Sequence, residues 1–198
     1  NGYCEEELKK LDDNSVDLVV TSPPYADRRK NTYGGVSEDL YCEWFKPIAE
    51  EIKRVLKPTG SFFLNIKPHC KNGERSLYVF DLVSMIKREV GLMFVEEYCW
   101  TKNVFPTGVK GRFKNGFEPV YHFTKEKPSN ITFNPLACGT PVSEDTKKRA
   151  FRKNCKVPDN GSGMVVDRDN FKNIELARPS NVINANNVTN QFSLKAKH

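Results

Sequence analysis

The residues most suited to chemistry are Thr21-Ser22-Pro23-Pro24-Tyr25. A serine hydroxyl accepts a hydrogen bond. Two consecutive prolines stiffen the chain and fix the direction of the backbone carbonyl between them. Ser22 Oγ and the Pro23 carbonyl can therefore act as two acceptors at fixed positions. Such a pair suits an amine attached to an aromatic ring, whose lone pair is delocalised and poorly nucleophilic. Holding both N–H groups favours a more tetrahedral nitrogen, able to attack an electrophilic methyl group in line. Tyr25 can stack on the ring. No covalent intermediate or strong base is needed, because positioning and electrostatics supply most of the rate. An amine inside a duplex must first leave the stack, so base flipping is implied.

The elements around this corner can be read from hydropathy. Asp17-Leu18-Val19-Val20 is a short β-branched run that leads into it, a buried strand by pattern. Cys4–Leu11 reads as a short helix ended by Asp12-Asp13-Asn14. Trp44, Ile48, Ile52 and Val55 recur at helical spacing within 38–56, with a break or kink expected near Lys46 because Pro47 follows. Residues 61–66 form the next strand. A second helix spans 76–90, with Val79, Leu82, Val83, Ile86 and Val90 on one face and Gly91 as its cap. Strands at 92–100 and 119–124 follow. The order β-α-β-α-β, then a loop and a strand, predicts an α/β fold with a mostly parallel sheet and covered faces. Right-handed crossovers bring the strand ends to one edge, where ligands of such sheets bind.

The chain has 198 residues and a net charge of +6. Residues 1–101 hold 14 basic and 17 acidic side chains, residues 102–156 hold 12 and 4, and residues 157–198 hold 5 and 4. The positive excess is thus concentrated in the middle of the chain and favours a polyanion. Arg28, Arg29 and Lys30 follow the corner directly and are candidate phosphate ligands. Lys110, Arg112 and Lys114 alternate with Phe113 and Phe117, a pattern for tracking a backbone while stacking on bases. Lys147, Lys148, Arg149, Arg152 and Lys153 form a second cluster, whose 148/152 and 149/153 pairs would share a helix face. Arg112, Arg149 and Arg152 are candidates for guanine, whose O6 and N7 a guanidinium can grip together.

The six cysteines have no C-x-x-C spacing, and several fall inside apolar segments. They predict buried free thiols, no disulfide framework and no metal site, in a cytoplasmic protein. No run approaches the roughly 18 apolar residues of a membrane span.

These residues together resemble the permuted, beta-type amino-methyltransferases of restriction–modification systems, most of all the cytosine-N4 enzymes. The family's catalytic motif is S/D/N-P-P-Y/F, with Ser typical of N4-cytosine enzymes and Asp of N6-adenine enzymes. The resemblance extends to Asn14–Val20, Lys57–Phe62, Gly91–Trp100 and Phe117–Phe123. Lys195-Ala196-Lys197-His198 is similar to the approach to the family's H-P-A-x-F-P segment. The resemblance implies a Rossmann-like, S-adenosylmethionine-dependent methyltransferase sheet with helices on both faces and an irregular target-recognition lobe. It implies that Ser22, Pro23, Pro24 and Tyr25 are catalytic. Thr21, Ser22, Pro23 and His198 fall on the cofactor side. Double-stranded DNA is the implied partner.

Two departures stand out. The family's early Asn-Gly-Asp is Asn1-Gly2-Tyr3 here, so the acid's role in cofactor binding has no residue to carry it. The family's glycine-rich cofactor loop also has no counterpart, so further residues beyond His198, or a second polypeptide, are expected to supply it. A homodimer is the other assembly considered. Residues 1–124 are expected to form the catalytic core and 125–198 the recognition lobe. The activity expected is methyl transfer to cytosine N4. Adenine N6, RNA, a protein glutamine amide and a non-catalytic DNA-binding subunit remain as alternatives.

Overall fold

A computed structural model describes residues 2–27, 35–102, 111–150 and 175–185. The chain divides into two compact units, Asn1–Thr132 with Asn181–His198, and Phe133–Ser180. This differs from a boundary at 124/125. The Thr132 amide donates to the Thr59 carbonyl at 2.9 Å. Residues 182–184 return to pair with 99–101.

The first unit opens with the short helix α1 (Cys4–Glu7) and a 3-10 turn, Leu8–Lys10. Strand β1 (Val16–Thr21) runs parallel to β2 (Leu56–Asn65), with Val19 opposite Phe62 and Thr21 opposite Leu64. Glycine is required at position 60: an added Cβ would lie 2.9 Å from the Asp17 carbonyl oxygen. Between these strands lies α2 (Tyr41–Val55), which runs through Pro47. Phe45, Ile48, Ala49 and Ile52 are buried on both sides of the proline, and apolar burial of about 1.5–3 kcal/mol per large side chain outweighs the missing backbone donor. Helix α3 (Tyr78–Met85) widens into a π turn, Ile86–Val90, ending at Gly91 with φ 77°. This left-handed cap is the one expected there, and Lys53 Nζ donates to the Val90 carbonyl at 2.7 Å.

Strands β5 (Met93–Thr101) and β6 (Phe117–Thr124) form an antiparallel pair, and β6 is also antiparallel to β2. The sheet order is β1-β2-β6-β5-β9, with β9 (Val182–Asn184) parallel to β5. Four strands therefore run one way and β6 runs against them. The carboxyl ends of β1, β2 and β5 consequently share an edge with the amino end of β6. Phe62, Leu64, Ile66, Tyr121 and Phe123 form one core with the buried faces of α2 and α3. On the opposite face Leu18 and Val20 are exposed. There His122 stacks on Phe63 at 4.3 Å, and its Nε2 lies 3.0 Å from Ser61 Oγ. A hairpin of β3 (Cys70–Lys71) and β4 (Glu74–Arg75) precedes α3.

The second unit holds β7 (Thr140–Pro141) paired with β8 (Leu176–Ala177), and α4 (Glu144–Ala150). Among its described side chains none is buried. The thiols of Cys4 and Cys138 are exposed, and those of Cys42, Cys70 and Cys99 are half-buried. The described cysteines are thus free, as expected, but less buried than their apolar neighbours suggested. Among the described residues no helix is long and apolar enough to cross a membrane.

Candidate active site

Ser22 to Tyr25 leave the carboxyl end of β1 as a corner at the shared sheet edge. Thr21 and Tyr25 are half-buried, Pro23 is buried, and Ser22 and Pro24 are exposed. The Tyr41 hydroxyl, from the first turn of α2, donates to the Pro24 carbonyl at 2.7 Å. Tyr41 is fully buried, and its ring meets that of Tyr78 edge-on at 4.9 Å. Burial, with the neighbouring Tyr78, drives the Tyr41 phenol far above its ordinary pKa, so it stays protonated as a donor. The corner is thus anchored through its second proline. Among the described residues no donor reaches the Pro23 carbonyl.

Burial raises the Tyr25 pKa, the charge of Glu118 raises it further, and the neighbouring Ser22 side chain opposes both. The net direction is upward, so the phenol is neutral at physiological pH.

Glu118, at the start of β6, is buried and accepts from two ammonium groups. Lys67 Nζ lies 2.5 Å away and Lys102 Nζ 2.8 Å away. Lys102 also sits 4.0 Å above the Trp100 ring, a cation–π contact. Burial alone would raise the Glu118 pKa, but the hydrogen bonds from Lys102 and Lys67 outweigh it and the pKa falls. The Tyr78 hydroxyl donates to the Lys67 carbonyl at 3.2 Å, and Asn65 Nδ2 donates to the Pro119 carbonyl at 3.0 Å. Nearby, Asp27, Glu38 and His69 bring side-chain ligand atoms within 4.8 Å of one another. Sequence reasoning singled out none of Tyr41, Lys67, Lys102 and Glu118. The available signal was position: Lys67 immediately follows a predicted strand, Lys102 lies two residues after another, and Glu118 immediately precedes a third.

The basic candidates are distributed differently. Arg112 is half-buried, with a guanidinium nitrogen donating to Cys70 Sγ and a buried Nε that has no acceptor among the described residues. Lys114 is exposed, and Phe113 beside it is fully exposed. In α4, Lys147 is half-buried and pairs with Glu144 at 2.9 Å, whereas Lys148 is exposed. Arg149 belongs to α4 by its backbone. Arg28, Arg29, Lys30, Lys110, Arg152, Lys153 and His198 lie outside the described residues.

A mixed sheet of this order, with a two-proline corner at the carboxyl end of its first strand, defines a methyltransferase fold. The solved PvuII DNA methyltransferase (cytosine-N4-specific) matches it with a TM-score of 0.64 and 24% identity, over 94% of this chain and 56% of that one. Residues 16–191 match the N6/N4 methyltransferase family, described as DNA methylase, and the chain belongs to that family. Type II methyltransferase M.PvuII of Proteus hauseri is 32% identical over 157 residues, covering 74% of this chain and 46% of the relative. DNA adenine methyltransferase YhdJ of Escherichia coli (strain K12) is 28% identical over 169 residues, covering 81% and 52%. The chain spans about half the length of both relatives.

Proposed function

We propose that this chain carries the catalytic core of a DNA methyltransferase that modifies cytosine N4 in double-stranded DNA, with S-adenosylmethionine as donor. The observation that carries the reading is the corner itself: an exposed Ser22 at the end of β1, beside a Pro23 carbonyl free of described donors. These two oxygens hold the two N–H groups of the extruded base. The Tyr41 bond to Pro24 anchors the corner. Oxygen acceptors also suit the approach of a cationic group, so the corner fits the cofactor beside Thr21, Ser22 and Pro23; His198 is the further proposed cofactor ligand. When bound, S-adenosylmethionine supplies an electrophilic sulfonium methyl.

Arg28, Arg29, Lys30, Lys110, Arg112, Lys114 and the 147–153 cluster are the proposed DNA ligands. The fully exposed Phe113 adds a stacking group to the second of these sets. Residues 1–124 supply catalysis and 125–198 target recognition in this reading, within a cytoplasmic restriction–modification enzyme. Ser22 and the likeness to the PvuII DNA methyltransferase (cytosine-N4-specific) favour cytosine. The identity to an adenine methyltransferase supports N6 of adenine as the second reading.

The test is methylation of duplex DNA by the full-length protein, followed by digestion to nucleosides and mass spectrometry. N4-methyl-2′-deoxycytidine is expected; N6-methyl-2′-deoxyadenosine would replace the first reading by the second, and no methylated nucleoside would refute both. Ser22→Ala should lower turnover on the order of 10²–10³-fold with DNA affinity nearly unchanged, since the lost contact acts on the reacting amine.

A further inference from the structure

The Lys67–Glu118–Lys102 cluster holds two ammonium groups and one carboxylate. Its formal charge is +1 at the sheet edge that carries the corner. The lysine side chains are only 32% and 17% exposed, and Glu118 is 11% exposed. Among the described residues neither ammonium pairs with a second carboxylate. A partly buried charge is expensive unless paired, and sharing one carboxylate leaves one positive charge without a counter-ion. The three residues come from different strand ends: the turn after β2, the end of β5 and the start of β6. Trp100 lies opposite Glu118 in the β5–β6 register, and Lys102 is held over its ring. Glu118 thus holds both ammonium groups, and the Trp100 ring holds that of Lys102 as well. Residues 103–116 contain no acidic side chain and add Lys110, Arg112 and Lys114. The surplus charge thus continues along the chain as an acid-free stretch.

We infer that Lys67 and Lys102, held by Glu118, form a seat for one phosphodiester of the DNA strand that carries the target base. The inference rests on the DNA methyltransferase reading and deepens it. Glu118 touches neither phosphate nor base in this account. It is a positioning residue: its negative charge permits two ammonium groups to approach each other, and their surplus attracts the phosphate. The arrangement is distinct from an ordinary salt bridge, in which both signs cancel and no third charge is called for. It also gives the Glu118 carboxylate and the two lysines opposite effects on DNA binding, although both lysines contact it.

The test is the salt dependence of duplex binding by the full-length protein and its Lys67→Met, Lys102→Met, Lys102→Arg and Glu118→Gln variants. Affinity for S-adenosylmethionine is measured in parallel. Each methionine variant should flatten the slope of log K against log [salt] by about one, the contribution of one phosphate. Lys102→Arg should keep the wild-type slope. Glu118→Gln, which leaves two ammonium groups without their carboxylate, should not flatten it. If Lys102→Met fails to fold, the more exposed Lys67 carries the same test. Unchanged slopes in the methionine variants would overturn the seat, as would a Glu118→Gln slope flattened like theirs. Loss of cofactor affinity with an unchanged slope would also overturn it, by assigning the charge to the cofactor's carboxylate. A wild-type protein without salt-dependent duplex binding would instead refute the DNA reading itself.

Discussion

The helix-covered core of the first unit and the described part of the second unit are built on different physics. In the first, Phe62, Leu64 and Phe123 are fully buried against α2 and α3. Their alternation along β2 and β6 leaves one register that keeps the apolar set inside. In the second, no described side chain is buried, and β7 and β8 meet over two residue pairs. The Val142 amide adds one bond to the Glu175 carbonyl at 2.9 Å. Burial fixes the corner at Ser22 because β1 and α2 both pack on the core, whereas the described part of the second unit has no buried side chain to fix it. Catalytic geometry is best placed on packed elements, and here the corner is.

The largest expected difference follows from this contrast. Phe62→Ala removes a fully buried ring and should cost about 3–5 kcal/mol of stability. Phe133→Ala removes a ring that is 58% exposed and should stay within about 0.5 kcal/mol. Denaturant unfolding of both variants measures the two. Similar losses would mean that Phe133 belongs to a core of its own, and the contrast between the units would fail.

A second contrast lies within the sheet, between its two faces. The face under α2 and α3 is apolar, while the opposite face buries His122 at 1% exposure. Burial lowers its pKa from 6.5 to about 4, only partly opposed by the charge of Glu96. The sign follows from proton uptake. Between the two values the unfolded chain binds the proton and the folded chain resists it, so stability is intact above pH 6.5 and is lost as pH falls towards 4. The full loss is on the order of 3 kcal/mol. Melting temperature against pH should fall over this window, and His122→Phe should flatten the fall. A variant curve parallel to wild type would place the acid sensitivity elsewhere.

These contrasts also explain how much was legible in the sequence. Ile48, Leu82 and Phe62 announce their elements because burial imposes a period on neighbours; β1 was legible as a strand but not as the buried one expected, since Leu18 and Val20 are exposed. The corner was legible because its five residues are consecutive. Glu118 was not: its partners are 51 residues away at Lys67 and 16 away at Lys102, and no local pattern encodes such a pairing. The direction of β6 escaped for the same reason, since an antiparallel strand inside a parallel sheet has the same apolar alternation. Pro47 suggested a break or kink, and of these the break is absent because buried neighbours hold the helix together. Arg112 looked like a free cation in sequence, yet its guanidinium meets Cys70 across 42 residues.

The smallest expected effect separates two adjacent lysines of α4 and bears on the second unit alone. Lys147 already faces Glu144 at 2.9 Å, while Lys148 is exposed. A lysine released to a phosphate contributes about one to the salt slope, but one that must first leave a carboxylate contributes less. Surface pairs of this kind are worth only about 0–1 kcal/mol, so the difference is a fraction of a slope unit. Lys148→Ala should therefore flatten the salt dependence of DNA binding by about one, and Lys147→Ala by less. If Lys147→Ala has the larger effect, Glu144 does not hold its neighbour in the complex, and α4 rearranges on DNA. If neither alters the slope, α4 lies outside the interface, and the basic surplus of the middle segment acts through the sheet edge instead.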